Sequence, residues 1–334
     1  MRLHLHVLLA VMLWLLPVAA SAQTLDPADK FKRMGWSGTD FTRTAVDLNE
    51  VISGGPPRDG IPPIDEPQFV AVSEDKDLVD REPVMSVEIG GDARAYPLRI
   101  MIWHEIVNDT VGGIPVSVTY CPLCNAAIVF DRRVDGKVLD FGTSGLLRHS
   151  DLIMYDRQSE SWWQQFTGEA IAGAMTGTAL TMVPARLESW LEFRSRQPAG
   201  KVLVPNDPGM RNYGRNPYFR YDSSAKPFLY NGQMPEGVPP MERVVVYRQD
   251  GKVHAVALSL LAAEQELMHG GVHMQWSAGQ ASALDTTDIV NGRDVGSVTV
   301  RRKLADGSWQ DMVHDVTFAF VVEAFHPGTT IRNK

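Results

Sequence analysis

Residues 84–101 read VMSVEIGGDARAYPLRIM, and the fold class can be argued from this stretch. Polar and apolar residues alternate over 85–89, and a glycine-containing turn follows at 90–92. Alternation with a period of two is typical of a half-buried strand, and a glycine-rich break between two such runs is typical of a hairpin. The stretch therefore predicts two antiparallel strands followed by the start of an apolar helix.

A second stretch, residues 244–261, shows the same pattern in the sequence VVVYRQDGKVHAVALSLL. The two halves also end alike, with Gln-Pro-Ala-Gly at 197–200 and His-Pro-Gly-Thr at 326–329. A tandem duplication of a β-rich unit would explain both similarities, while chance recurrence of short strand–turn–strand patterns is the alternative. We expect a β-rich α+β fold with two related halves packed together, of which only the first carries cysteines.

Composition divides the chain into five segments. Residues 1–22 combine a basic residue, an apolar run and Ala-Ser-Ala, which predicts a secretory signal peptide rather than a membrane anchor, because the run is short for a span. An N-terminal arm and linker rich in Pro and Gly (23–80) precedes the half with the cysteines (81–204). An irregular connector rich in proline (205–240) leads to the second half (241–334). We expect an exported protein, periplasmic or extracellular, with no membrane span after signal cleavage.

The composition and the missing motifs exclude several classes of function. The 334 residues carry a net charge of −8, and such an acidic chain disfavours binding to nucleic acid. Two cysteines are too few for a disulfide-rich scaffold or a zinc site with four cysteines. There is no glycine-rich nucleotide loop and no Cys-Xaa-Xaa-Cys-His motif, so we expect no nucleotide and no covalent haem. A metal ion or a small molecule remains a candidate ligand, and no protein partner is indicated.

Cys121 and Cys124, in Cys-Pro-Leu-Cys-Asn, are the sharpest chemical signal, and they follow a predicted strand at 116–120. A turn of this spacing brings two thiols within reach of one metal ion or of each other. Three interpretations stay open: a soft-metal site, a disulfide that is either structural or redox-active, and an inert buried pair. The residues after the turn, 126–131, favour a strand, which argues against a thioredoxin fold with its helix at this point.

A metal site needs a third ligand, and His104 is the candidate because it lies on a predicted short helix just before the cysteine strand. Two thiolates and one imidazole suit copper or zinc, with Met154 as a less favoured further ligand. Glu105 or Asp109 would hold the imidazole in one tautomer. An ordinary buried histidine, bonded to a backbone group, is the alternative. A second, weaker group of candidate ligands consists of His269, His273 and Met274.

The segment 151–165 combines carboxylates, a tyrosine and paired tryptophans, and it could line a cleft. In that interpretation Asp151 and Asp156 act as acid/base or supporting groups, and Trp162 and Trp163 form a wall. The alternative is a strand and a turn that lead to core tryptophans.

Several longer motifs stand out: Arg-Ala-Tyr-Pro at 94–97, His-Glu-Ile-Val-Asn-Asp at 104–109 and Tyr-Cys-Pro-Leu-Cys-Asn at 120–125, with further ones at 154–157, 161–164, 282–285 and 292–296. Together, over roughly residues 80–330, they resemble a bacterial family catalogued as domain of unknown function 3179. The resemblance implies no activity. It implies that certain positions belong to the family pattern: His104, Glu105, Asn108, Asp109, Cys121, Cys124, Asp151, Tyr155, Asp156, Trp162 and Gln164.

The sequence thus supports three hypotheses of function and leaves open whether the protein is an enzyme. The first is an exported soft-metal-binding protein with a copper or zinc site at Cys121, Cys124 and His104. The second is a periplasmic thiol–disulfide oxidoreductase that cycles the same cysteine pair. The third is a non-enzymatic binding module with a cleft at Trp162 and Trp163 above a structural disulfide.

Overall fold

The computed structural model describes residues 26–334, so the predicted signal peptide (1–22) lies outside the described residues. Over the described range the chain is rich in strand, with several sheets and a few short helices, which confirms the prediction of a β-rich α+β fold. No helix of the described range combines the length and hydropathy that a membrane crossing requires.

The N-terminal arm lies on the main body as an ordered segment. It contains α1 (Pro27–Arg33), β1 (Val51–Ser53) and β2 (Gln68–Ala71). Phe31 and Trp36 are fully buried in a cluster of side chains, although the segment around 53–67 has too much proline and glycine for a regular element of its own. The arm is therefore held by apolar burial and by the edges of two sheets.

The first half begins with a hairpin, a helix and three further strands: β3 (Pro83–Ile89), β4 (Asp92–Pro97), α2 (Leu98–His104), β5 (Ile106–Val111), β6 (Ile114–Cys121) and β7 (Ala126–Asp131). An extra group of strands follows: β8 (Arg133–Val134), β9 (Lys137–Val138), β10 (Phe141–Arg148), β11 (Asp151–Asp156), β12 (Trp162–Gln164) and β13 (Ala170–Ala172). The half closes with β14 (Thr181–Val183), β15 (Ala185–Ser189), α3 (Trp190–Arg196) and β16 (Lys201–Val204).

The connector after β16 contains one 3-10 turn, Tyr221–Ser223, and no strand or α-helix. The second half contains β17 (Arg243–Gln249), β18 (Lys252–Ala257), α4 (Leu258–Glu264), β19 (Glu266–His269), β20 (Val272–Ser277), β21 (Ser297–Lys303), β22 (Trp309–Asp311), β23 (His314–Phe318), α5 (Ala319–Phe325) and β24 (Ile331–Arg332).

The two halves have the same order of strands in their sheets. The sheet β15-β3-β4-β16-β2 of the first half matches the sheet β23-β17-β18-β24 of the second half. In the first half β16 pairs in parallel with β4, and in the second half β24 pairs in parallel with β18. The sheet β14-β7-β6-β5 matches β22-β21-β20-β19. The halves also pack reciprocally, β7 against β23 and β15 against β21. The group β8–β13 is the main addition to the first half, and its strands β10–β13 form a sheet with β1 of the arm.

The predicted hairpin is correct, but its first strand is more buried than its alternation suggests. All of residues 83–87 are buried, because Met85 and Val87 pack in the main core while Val84 packs in a cluster on the other face. The one polar residue of this stretch, Ser86, is satisfied by donating a hydrogen bond to Glu188. Alternation of apolar and polar residues therefore need not mean a solvated face when the polar side chain has a partner.

Candidate functional site

The two cysteines lie in the turn that joins β6 to β7. The turn is closed by the amide of Cys124, which donates to the carbonyl of Cys121 at 3.2 Å. Asn125 takes a left-handed conformation, with φ of 52°, and so returns the chain into β7. One residue before β11, the carbonyl of Ser150 lies 3.8 Å from Sγ of Cys121 and 3.6 Å from Sγ of Cys124. The turn therefore aims both thiols at the beginning of β11.

Asp151, the first residue of β11, completes the group. The two sulfur atoms and one carboxylate oxygen of Asp151 all lie within 4.8 Å of one another, an arrangement that could hold a metal ion. The three side chains are 0–2% exposed. Burial raises the pKa of both thiols, and it raises the pKa of Asp151 to about 6. The two cysteines are not joined in a disulfide.

Two donors orient the Asp151 carboxylate. Its Oδ2 atom accepts a hydrogen bond from Nε2 of Gln164 at 2.7 Å and from the amide of Phe166 at 2.9 Å. Its Oδ1 atom is buried and has no hydrogen-bond partner within residues 26–334. In the metal-free protein the two protonated thiols are the groups that can donate to this carboxylate, and a metal ion bound by the thiolates would take their place. Asp151 therefore combines a carboxylate oxygen without a partner with a position beside the two thiols.

Glu105 is a second buried carboxyl beside this group. It ends α2 in a left-handed conformation, with φ of 60°, and its carbonyl accepts the amide of Tyr120 from β6. Its carboxyl makes no hydrogen bond to any described residue. Burial, and to a smaller extent the charge of Asp151, raise the pKa of Glu105 to about 8. The carboxyl is therefore mainly neutral at pH 7, at the edge of the cysteine group.

The structure does not place His104 as the third ligand. Its Nδ1 atom lies 2.7 Å from the carbonyl oxygen of Pro62, and its Nε2 atom lies 2.8 Å from the hydroxyl of Tyr213, so both ring nitrogens are occupied. Asp151 takes the place that the sequence predicted for His104. The reason is local geometry: adjacent residues at a helix end point in different directions, and here Glu105 is the one near the thiols.

Asp109 does not hold the imidazole either. Its two carboxylate oxygens each accept a hydrogen bond at 2.8 Å from the guanidinium of Arg94, and Oδ2 also accepts one from the hydroxyl of Tyr96 at 2.6 Å. Asn108 is also structural. Its side-chain Nδ2 donates a hydrogen bond to the carbonyl of Phe141 on β10, and its Oδ1 accepts one from the amide of the same residue. These residues join the hairpin, β5 and the added sheet.

The predicted cleft at Trp162 and Trp163 is wrong, because both indoles are fully buried. Trp162 packs edge-on against aromatic rings of the arm, and Trp163 donates from Nε1 to Asp156 at 2.9 Å. Asp156 is thus a partner of a core tryptophan. Consecutive side chains of a strand point to opposite faces, so the two indoles of β12 are buried in two different clusters. The alternative of core tryptophans holds.

Two further predicted residues of β11 serve packing. The hydroxyl of Tyr155 donates to Asp59 of the arm. Met154 is fully buried in the main core, on the face of β11 opposite to Asp151.

The second candidate group of ligands does not converge. His273 lies beside Glu266, with Nε2 and Oε2 3.1 Å apart, and Met274 is buried in the core of the second half. His269 lies beside a different residue, His254, with ring centroids 5.1 Å apart. His273 and Met274 are consecutive residues of β20, so their side chains point to opposite faces of the strand.

The second half contains a counterpart of the end of α2 and the start of the cysteine turn, but it has no cysteine there. Gln265 ends α4 with φ of 66°, and its carbonyl accepts the amide of Trp276, as Glu105 accepts that of Tyr120. By this correspondence Ser277 matches Cys121. The segment 278–296 then replaces the short cysteine turn. The acidic, thiol-bearing group is therefore specific to the first half.

The site also uses groups that the sequence did not indicate as functional. The carbonyl of Ser150 and the amide of Phe166 contact the thiols and Asp151, and backbone groups of this kind leave no signature in a sequence. The family pattern includes both Asp151 and Gln164, but the sequence does not show that their side chains are hydrogen-bonded to each other.

Comparison with known proteins adds a family and no activity. No curated protein and no solved structure matches the chain. The model of one family, described as Protein of unknown function (DUF3179), matches residues 58–329, a range that includes both halves, the connector and the cysteine group. The chain therefore belongs to that family.

Proposed function

We propose that this chain is an exported metal-binding protein that holds one zinc ion with Cys121, Cys124 and Asp151. The observation that carries the proposal is a buried group in which two sulfur atoms and one carboxylate oxygen of Asp151 all lie within 4.8 Å of one another. The Oδ1 atom of that carboxylate has no hydrogen-bond partner among the described residues. The predicted signal peptide supports export. Glu105 is a neighbouring buried carboxyl whose charge acts on Cys121 and Asp151, and it lies outside the group of three candidate ligands.

The donor set favours zinc over copper. Copper(I) prefers soft sulfur ligands, whereas zinc accepts thiolate and carboxylate together. Two thiolates and one carboxylate carry three negative charges, so Zn²⁺ leaves a smaller net charge in this buried group than Cu⁺ would. A smaller buried charge costs less free energy.

The same features disfavour the thiol–disulfide oxidoreductase. A cysteine that attacks a protein disulfide needs an exposed thiolate with a lowered pKa. Cys121 and Cys124 are 2% and 0% exposed, and burial raises the pKa of each. The group is better suited to a small ion than to a protein substrate.

Metal content tests the proposal. The mature protein, purified from the export compartment without chelator, is expected to hold one zinc ion per chain by native mass spectrometry and elemental analysis. Cys124→Ser and Asp151→Asn are expected to lose it. Asp315→Asn is the matched control, because Asp315 is also a buried carboxyl but lies outside the group.

Cobalt provides an independent readout. Cobalt-substituted protein is expected to show thiolate-to-metal charge-transfer absorption, which Cys124→Ser removes. A chain without metal that is lighter by two hydrogens would overturn the proposal in favour of a disulfide. Equal zinc content in Asp151→Asn and in Asp315→Asn would remove Asp151 from the site.

Gln164 is expected to act as a positioning residue for Asp151. Gln164→Leu removes the donor to Oδ2 and should weaken zinc binding about 10- to 100-fold, as loss of a group that orients a ligand does. Competition with a chromophoric chelator measures the affinity. Gln165→Leu is the neighbouring control, since Gln165 donates to Thr119 and Ala126 instead. Equal affinities for the two variants would contradict the role of Gln164.

A further inference from the structure

A cavity of about 660 Å³ lies between the two halves. It shares Phe166 with the cysteine group, but neither thiol nor Asp151 is among the residues that line it. Its wall from the first half includes β7, β14 and the segment before β15, and its wall from the second half includes β17, β22 and β23. The volume falls within the range of small-molecule sites, about 300–1,000 Å³. A space of this size at the junction of two packed units is a common place for such a site.

The body of the cavity is apolar. Ile128, Phe166 and Leu180 are almost fully buried in its wall, and Met182 and Met312 are half-buried there. Methionine side chains are flexible and polarisable, so they adapt to the shape of an apolar ligand. This part of the cavity suits a hydrocarbon chain or ring.

The cavity also carries exposed positive charge. Arg248 and Arg302 both line it, and both are exposed to solvent. Arg302 donates from Nε at 3.0 Å and from Nη2 at 2.7 Å to Oε1 of Gln310, a neutral partner. Within residues 26–334, Arg248 forms no ion pair. Both guanidinium charges therefore remain available to a ligand.

The acidic residues of the lining do not cancel this charge. Asp311 is taken up by Arg186, with two hydrogen bonds of 2.6 and 2.8 Å. Asp315 is buried, and its Oδ1 atom accepts the amide of Ala127 at 3.0 Å. Glu169 is the remaining carboxylate and is exposed. An anion at the two arginines therefore meets a net positive edge.

We propose that this cavity binds an amphipathic organic anion, with a carboxylate or similar acid at Arg248 and Arg302 and an apolar body between the two halves. The planar guanidinium groups suit such an acid, since a guanidinium can donate two parallel hydrogen bonds to it. Gln310 engages Nε and Nη2 of Arg302, and an acid would approach the Nη1 side of that group. The proposal does not rest on the zinc site.

Three probes of one chain length test it: octanoate, 1-octanol and octylamine, titrated into the whole mature protein by calorimetry. Octanoate is expected to bind with one site per chain, octanol more weakly, and octylamine not at all. The double variant Arg248→Gln/Arg302→Gln should bind octanoate at least about tenfold more weakly, because the carboxylate loses both of its charged hydrogen-bond donors.

A matched control separates this effect from general charge. Arg33→Gln/Arg43→Gln removes the same charge from two exposed positions on the N-terminal arm and should leave octanoate binding unchanged. Cys124→Ser should also bind octanoate normally, so the two proposals can fail separately. Equal binding of octylamine and octanoate, no binding of octanoate, or equal losses in the two double variants would overturn the proposal.

Discussion

Zinc affinity is expected to rise about 100-fold for each unit of pH between roughly pH 6 and pH 8, because two protons leave when the ion binds. Burial raises the pKa of Cys121 and Cys124, so both thiols are protonated in the metal-free protein over this range. Zinc binds the thiolates and must displace both protons. Acid therefore favours the metal-free form, and alkali favours the zinc form.

The slope should steepen below about pH 6. The pKa of Asp151 is raised to about 6, so at lower pH a third proton must leave before the carboxylate can bind zinc. Affinity measured by chelator competition at a series of pH values gives the slope, and calorimetry in two buffers of different ionisation enthalpy gives the proton count.

Asp151→Asn serves as the control for this steepening. It cannot release the third proton, so any remaining affinity should keep the two-proton slope below pH 6. A slope below one proton across the whole range would mean that thiolates are not the ligands.

Trp162→Ala is expected to destabilise the protein by about 3–5 kcal/mol, the usual cost of removing a large buried aromatic side chain. Trp162 is fully buried, and Phe31, Trp36 and Phe41 of the arm meet its ring edge-on, with centroids 4.9–5.4 Å apart. In the described part of the chain its Nε1 atom has no hydrogen-bond partner, so the substitution leaves no polar group without one. The loss is therefore one of packing.

Unfolding in denaturant measures this loss, and limited proteolysis shows whether the arm detaches first. Trp309→Ala is the control, because Trp309 is 39% exposed and should change the free energy of unfolding much less. Equal losses for the two variants would mean that the aromatic cluster does not hold the arm.

Local signals predicted much of the fold. The hairpin at 84–101, its counterpart at 244–261 and the strand before the cysteine turn are all present, because alternation and glycine turns act between residues close in the chain. The shared order of the sheets also agrees with the similarity between the two stretches. The degree of burial was not predictable, because the layers that cover a strand come from distant segments.

For the candidate site, too, part of the arrangement could be predicted from the sequence and part could not. Cys121 and Cys124 could be paired from the sequence, since a turn with two residues between the cysteines suffices to bring two thiols together. The third group could not, because Asp151 is brought to the thiols by a separate sheet and His104 is turned toward Pro62 and Tyr213. Contacts along a few residues follow from backbone geometry. Contacts between strands far apart in the chain depend on how the sheets pack, which only the folded chain decides.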